Sequence, residues 1–158
     1  LAYFYIAQMY TNGGSLKFDQ CKVIENYLLA IKMNHAQSMT NLGVIYATGR
    51  GIEKDEMKAF SLFCKAAFLG DVFGVENMGL ALLNGVGTPR DVSLSKKLLN
   101  FSREIKREYS VSSSQSNPAI TDLSNNTALR DSVILFMKKL LVEEGSDPTE
   151  AICTPRVH

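Results

Sequence analysis

Two Gly-x-Gly turns, Gly49-Arg50-Gly51 and Gly85-Val86-Gly87, are the residues in this chain that most resemble a chemical device, because glycine-rich loops can cradle phosphate. A phosphate-binding loop also needs a following lysine and hydroxyl residue, and a strand before it. Both turns lack these, so their glycines read as turn residues. Asp19, Asp55 and Asp91 could supply acid or base chemistry, but they recur at one fixed spacing. That is expected of side chains accepting from free N–H groups at helix starts. The three cysteines, Cys21, Cys64 and Cys153, show no CxxC spacing and an odd total, which indicates neither a zinc site nor a disulfide framework. Cys64 reads as a small core residue. His35 and His158 are the only histidines, so spacing suggests no His-rich metal site and no Ser/His/Asp or Cys/His arrangement. No catalytic residue, metal ligand or cofactor is predicted, and the chain reads as a non-enzyme.

Composition narrows the partner class. With 158 residues, 46% hydrophobic and 21% charged, the chain can bury a core. A formal net charge of +1 offers no basic stripe for nucleic acid. No run approaches the roughly 18 apolar residues of a membrane span. Reduced thiols point to a cytoplasmic protein. The opening Leu-Ala-Tyr-Phe-Tyr has no initiator methionine, and the expectation is a fragment of a longer protein whose targeting signal lies elsewhere.

The elements that must position these residues repeat. Ala7, Tyr10, Gly13 and Asp19 stand thirty-six residues before Gly43, Tyr46, Gly49 and Asp55, and Gly79, Gly85 and Asp91 stand thirty-six after. A fixed period of this length marks a stacked helical array. Units of about 3–38, 39–74 and 75–110 each hold two helices joined by a glycine turn. In the first unit Tyr3, Ile6, Ala7 and Tyr10 share one helical face, and Val23, Ile24, Tyr27, Leu28 and Ile31 share another. In the middle unit Met39, Leu42, Gly43 and Tyr46 face the second helix, with Ala59 opposite Gly43. Phe60, Phe63, Ala66 and Ala67 continue that helix until Gly70. In the third, Met78, Gly79, Leu82 and Leu83 precede a polar second helix that reads as a partial cap.

The run Leu42-Gly43-x-x-Tyr46-x-x-Gly49-x-Gly51-Ile52-x-x-Asp55-x-x-Lys58-Ala59-Phe60, followed by Ala66-Ala67 and Gly70, resembles a Sel1-like repeat, a relative of the tetratricopeptide repeat. The resemblance covers about Tyr3 to Tyr109. It implies an all-α, right-handed solenoid of three antiparallel helix hairpins across 1–109, of the kind that serves as an adaptor. The first unit departs from the pattern at Ala7, Ser15 and Leu16, and the third at Leu82, Ser95 and Lys96.

Beyond the repeats, 110–117 reads as a Ser-rich linker, 118–145 as a C-terminal capping helical segment and 146–158 as a flexible tail. Asn126 or Thr127 can cap an amphipathic helix whose stripe is Leu129, Val133, Phe136, Met137 and Leu140, widened by Ile134 and Leu141. Packing on the exposed end of the last hairpin is expected, with groove binding or self-association as the alternative.

What remains is a surface on the first helices: Tyr5, Gln8, Met9 and Asn12, then Asn41, Val44, Ile45 and Thr48, then Asn77, Leu80, Ala81 and Asn84. Such helices usually line the concave side of a solenoid. A row of Tyr5, Asn41 and Asn77 could hydrogen-bond an extended peptide backbone. The competing expectation is that the apolar members are consumed in packing between repeats. The leading function is a scaffold binding another protein or peptide on this face. The alternatives are a structural or self-association segment and a small hydrolase, for which no nucleophile and base are evident.

Overall fold

A computed structural model of the chain describes residues 2–12, 19–113 and 126–144. Among them lie seven helices and no strand: α1 (Ala2–Asn12), α2 (Gln20–Lys32), α3 (Ala36–Thr48), α4 (Glu56–Phe68), α5 (Val72–Asn84), α6 (Val92–Ser113) and α7 (Thr127–Glu144). α1/α2, α3/α4 and α5/α6 pack as hairpins, and α2 meets α3 and α4 meets α5 to join them into an all-α repeat solenoid. The turn glycines at 13 and 14, the first part of the tail segment (118–125) and the terminal stretch 146–158 lie outside the described residues.

The second helices start where carboxylates can hold them. Asp19 Oδ1 accepts from Lys22 N at 3.2 Å, Asp55 Oδ1 from Lys58 N at 2.9 Å and Asp91 Oδ1 from Leu94 N at 2.9 Å. Each bond satisfies one of the N–H groups that a helix start leaves without a partner. The first helices have caps of their own. His35 Nδ1 accepts from Ser38 N at 3.3 Å and Asp71 Oδ1 from Phe73 N at 3.2 Å. These caps set the starts of α3 and α5 at Ala36 and Val72, three residues before the expected unit boundaries at 39 and 75.

The second glycine of each turn has a role between repeats. A Cβ at Gly87 would fall on the Glu56 carbonyl oxygen at the start of α4, and a Cβ at Gly51 would fall on the Gln20 side chain at the start of α2. Gly51 and Gly87 are one period apart, as are Gln20 and Glu56. The turns of the second and third hairpins thus dock on the first residue of the preceding second helix, at Gly87 closer to its backbone than any side chain allows. Inside the hairpin, a Cβ at Gly43 would meet the Phe63 ring at 2.6 Å and the Ala59 carbonyl at 3.3 Å. The expected facing residue is therefore confirmed, with Phe63 nearer still.

Two apolar clusters result. Phe4, Ala7, Val23, Tyr27 and Leu42 form the first, and Tyr46 borders both it and the larger second cluster, which spans α4 to α7. On α1 the buried residues are Phe4 and Ala7, whereas Tyr3 and Ile6, expected inward, are exposed. The corresponding positions one and two periods on, Met39, Leu42, Val75 and Met78, are buried. The inward face of α1 is instead that of Phe4 and Ala7, which join Val23, Tyr27 and Leu42 in the first cluster. Leu28 is likewise exposed.

α6 continues through Ser113, four residues into the stretch expected as a linker. α7 buries Leu129, Val133, Met137 and Leu140. It lies across second helices: the Phe136 ring stacks on Phe101 of α6 at 3.7 Å between centroids, and Arg130 Nε donates to the Leu69 carbonyl at the end of α4 at 3.0 Å. The tail helix thus reaches back one hairpin beyond the end of the array.

Candidate partner-binding face

On the first helices α1, α3 and α5 the candidate positions fall in ladders one period apart, such as Gln8, Val44 and Leu80. Tyr5, Met9, Val44 and Leu80 are each more than 40% exposed, so each first helix carries at least one large apolar side chain in water. Ile45 is half-buried against the first cluster, and Ala81 is in the second. These two are consumed in packing, and the stripe narrows to the exposed four.

The polar members are engaged differently from the expected row. Asn77 Nδ2 donates to its own helix at Phe73 O (2.8 Å), Asn84 Nδ2 to Leu80 O (3.0 Å), and Thr48 Oγ1 to Val44 O (2.8 Å). A short polar side chain on a helix finds the carbonyl one turn back at little entropic cost. Asn41 is the exception: its Nδ2 crosses to Tyr27 Oη on α2 at 3.1 Å. The side chain of Asn12 lies outside the described residues.

Asn41 belongs to the one place where several of these residues converge. A cavity of about 260 Å³ opens between α1 and α3 over α2. Gln8 and Thr11 of α1 and Asn41, Val44 and Ile45 of α3 form its walls. Gln20, Val23 and Tyr27 of α2 and the exposed Arg50 complete its lining. Asn77, Leu80 and Asn84 lie on α5, outside it. Thr11, Gln20, Val23, Tyr27 and Arg50 were not among the expected site residues; all but Thr11 come from the second helix and the turn, which a ladder on first helices cannot register.

A larger cleft of about 700 Å³ lies along the turn and the start of α4, from Ile52 to Lys58 and across to Gly87. Two ion pairs and a cation–π contact lie within it, and Glu53 is a further acid on its lining. Lys54 pairs with Glu56 at 2.5 Å, Lys58 with Asp55 at 3.6 Å, and Lys58 Nζ lies 4.7 Å from the Tyr46 ring centre.

The remaining polar cluster is structural. Asp71, buried at the start of α5, accepts from Thr40 Oγ1, and burial pushes its carboxyl above the ordinary 3.8 against the lowering effects of Thr40, the Phe73 and Gly74 N–H groups and Lys106. Lys106 pairs with Glu76 and lies 4.3 Å from the Phe73 ring centre. Among the described residues no group of His, Cys, Asp and Glu could hold a metal ion, and no helix is long and apolar enough to cross a membrane.

The geometry agrees with comparisons to known proteins. The family model described as Sel1 repeat matches residues 36–71 and 75–102, beginning at the residue where α3 begins. A solved Sel1 repeat protein from Oxalobacter formigenes superposes with a TM-score of 0.55 over 84% of this chain and 85% of that one, at 23% identity. The chain carries Sel1-like repeats. Repeats of the Sel1 family generally mediate protein–protein interaction. Similar curated proteins include an F-box protein of Arabidopsis thaliana, 33% identical over 60% of this chain and 31% of that protein. Chitin synthase regulatory factor 3 of Schizosaccharomyces pombe is 32% identical over 70% of this chain and 12% of that protein. This Sel1-like chain thus spans less than a third of the length of either relative.

Proposed function

We propose that this chain is a non-catalytic adaptor that holds a partner protein or peptide on the face formed by α1, α3 and α5, with the α1–α3 cavity as its principal site. The observation that carries this reading is the convergence of Gln8, Asn41, Val44 and Ile45 around that cavity, on helices that also expose Tyr5 and Met9 on α1, with Leu80 exposed on α5. Exposed apolar side chains beside a concave site are what a bound segment can cover. Relatives named as F-box proteins and as a regulatory factor support recruitment over catalysis. Self-association through α7 has less support, because its stripe is buried and, among its described side chains, only Leu135 and Val142 are large, apolar and exposed. Selection of a displayed random-peptide library against the intact chain tests the reading. Binding of the selected peptides should fall at least about tenfold in Val44→Asp, the loss expected when a charge enters an apolar contact, and stay unchanged in Leu135→Asp. Equal binding by Val44→Asp would move the site elsewhere.

A further inference from the structure

One exposed face of α1 follows a register that is already in use deeper in the array. Ala2, Tyr3, Ile6 and Met9 fall on one side of that helix. One period on, Ser38, Met39 and Leu42 are buried and Ile45 is half-buried; two periods on, Gly74, Val75, Met78 and Ala81 are buried. These positions carry the contact between neighbouring hairpins. Leu42 joins Val23 and Tyr27 of α2 in the first cluster, and a Cβ at Gly74 would fall on Ala66 and Ala67 of α4. On α1 the same positions are open: Tyr3, Ile6 and Met9 are 39%, 36% and 47% exposed. Among the described residues no other helix exposes more than two large apolar side chains, whereas α1, with Tyr5, exposes four.

Composition points the same way. α1 and α3 hold no Asp, Glu, Lys or Arg and α5 holds only Glu76, whereas α2 and α4 hold three such residues each. A helix without charge on any side is suited to being covered all round. α3 and α5 have a second helix on either side within the array, and at the far end α7 buries Val133 and Met137 in the second cluster.

We propose that the Tyr3–Ile6–Met9 face of α1 docks on the same face of a second copy of this chain, forming a two-fold dimer. The face is self-complementary. Uncharged helices meet without like-charge repulsion, and Ile6 lies midway between Tyr3 and Met9, so antiparallel pairing about Ile6 sets each Tyr3 ring against the partner's Met9. Thioether sulfur against an aromatic ring is a favourable contact. A two-fold interface uses the same patch on both copies, so assembly closes at the dimer. Tyr5 and Gln8 lie about a third of a turn round the helix, which leaves the peptide-binding face outside this contact.

Sedimentation velocity of the intact chain from about 1 to 500 µM tests this, because one helix per copy makes a small interface of the weak, concentration-dependent class. The sedimentation coefficient should rise with concentration toward that of a dimer. Ile6→Asp, checked for unchanged helical content, should raise the dissociation constant about a hundredfold: roughly tenfold for a charge entering an apolar contact, applied once in each copy. Met9→Glu, at a more exposed position, should also weaken the dimer and guards against a folding defect in Ile6→Asp. Val44→Asp and Leu135→Asp should leave it unchanged. A monomer at every concentration would overturn the proposal and leave the face to a helix outside this chain, and a dimer that persists in either folded α1 variant would overturn it as well.

Discussion

Alanine at the turn glycines separates the two demands that the fold makes on them. Gly85 and Gly87 have nearly the same backbone conformation, φ +71° and +69°, so the cost of forcing an L-residue into the left-handed region is common to both. That cost is about 1–2 kcal/mol, offset by the lower chain entropy of unfolded alanine, about 0.4–1 kcal/mol. Their surroundings differ. A Cβ at Gly85 has its nearest neighbours at 3.7 Å, Arg90 Cβ and the Thr88 carbonyl, which is ordinary contact. A Cβ at Gly87 falls on the Glu56 carbonyl and lies 2.9 Å from Met57 N, all backbone of the preceding hairpin. Relieving that overlap requires the hairpins to part, and overpacking of this kind adds roughly 1–3 kcal/mol. Gly85→Ala should therefore cost under about 2 kcal/mol and Gly87→Ala about 2–4 kcal/mol. Gly51→Ala should fall between, because the atoms it meets belong to the movable Gln20 side chain. Urea unfolding followed by helical circular dichroism gives the three values. Equal losses for Gly85→Ala and Gly87→Ala would refute the docking of each turn on the preceding hairpin.

Two further outcomes follow from the packing. Burial holds the Asp71 carboxyl above its ordinary 3.8, so the folded chain keeps this proton to higher pH than the unfolded chain does. Stability from this group should then be highest below 3.8, fall as pH rises through the window up to the raised value, and stay flat above it. Asp71→Asn, which keeps an acceptor for Phe73 N, removes that titration. Urea midpoints of Asp71→Asn relative to the unsubstituted chain should improve as pH rises across the window, and a decline would show that Thr40 and Lys106 outweigh burial. For the tail helix, a double-mutant cycle of Phe101→Leu and Phe136→Leu should give a coupling of about 0.5–1.5 kcal/mol. Zero coupling would mean that α7 does not dock on α6.

The period made the hairpins, their turns and the three aspartate caps legible, because each depends on local backbone geometry that recurs wherever the pattern does. The starts of α3 and α5 were harder to see. His35 and Asp71 are also one period apart, but histidine is an uncommon cap, and the apolar residues after 38 and 74 drew the boundary inward. The buried face of α1 was ambiguous since Ala2 to Ala7 is apolar on every side, and only its neighbours select Phe4 over Tyr3 and Ile6. Of the candidate site, the exposed first-helix positions could be read from spacing. The fate of the asparagines could not, because Asn77 and Asn84 have a carbonyl of their own helix within reach and Asn41 has Tyr27. Gln20 and Arg50 come together with α1 and α3 only once the hairpins stack.

The most direct measurement of the central claim is amide chemical-shift mapping of the intact chain with a selected peptide. Binding on the first-helix face predicts the largest shifts at Gln8, Asn41, Val44 and Arg50, extending to Leu80, with little change from Glu53 to Lys58. Largest shifts along Glu53 to Lys58, or on the exposed side of α7 around Leu135, would contradict it.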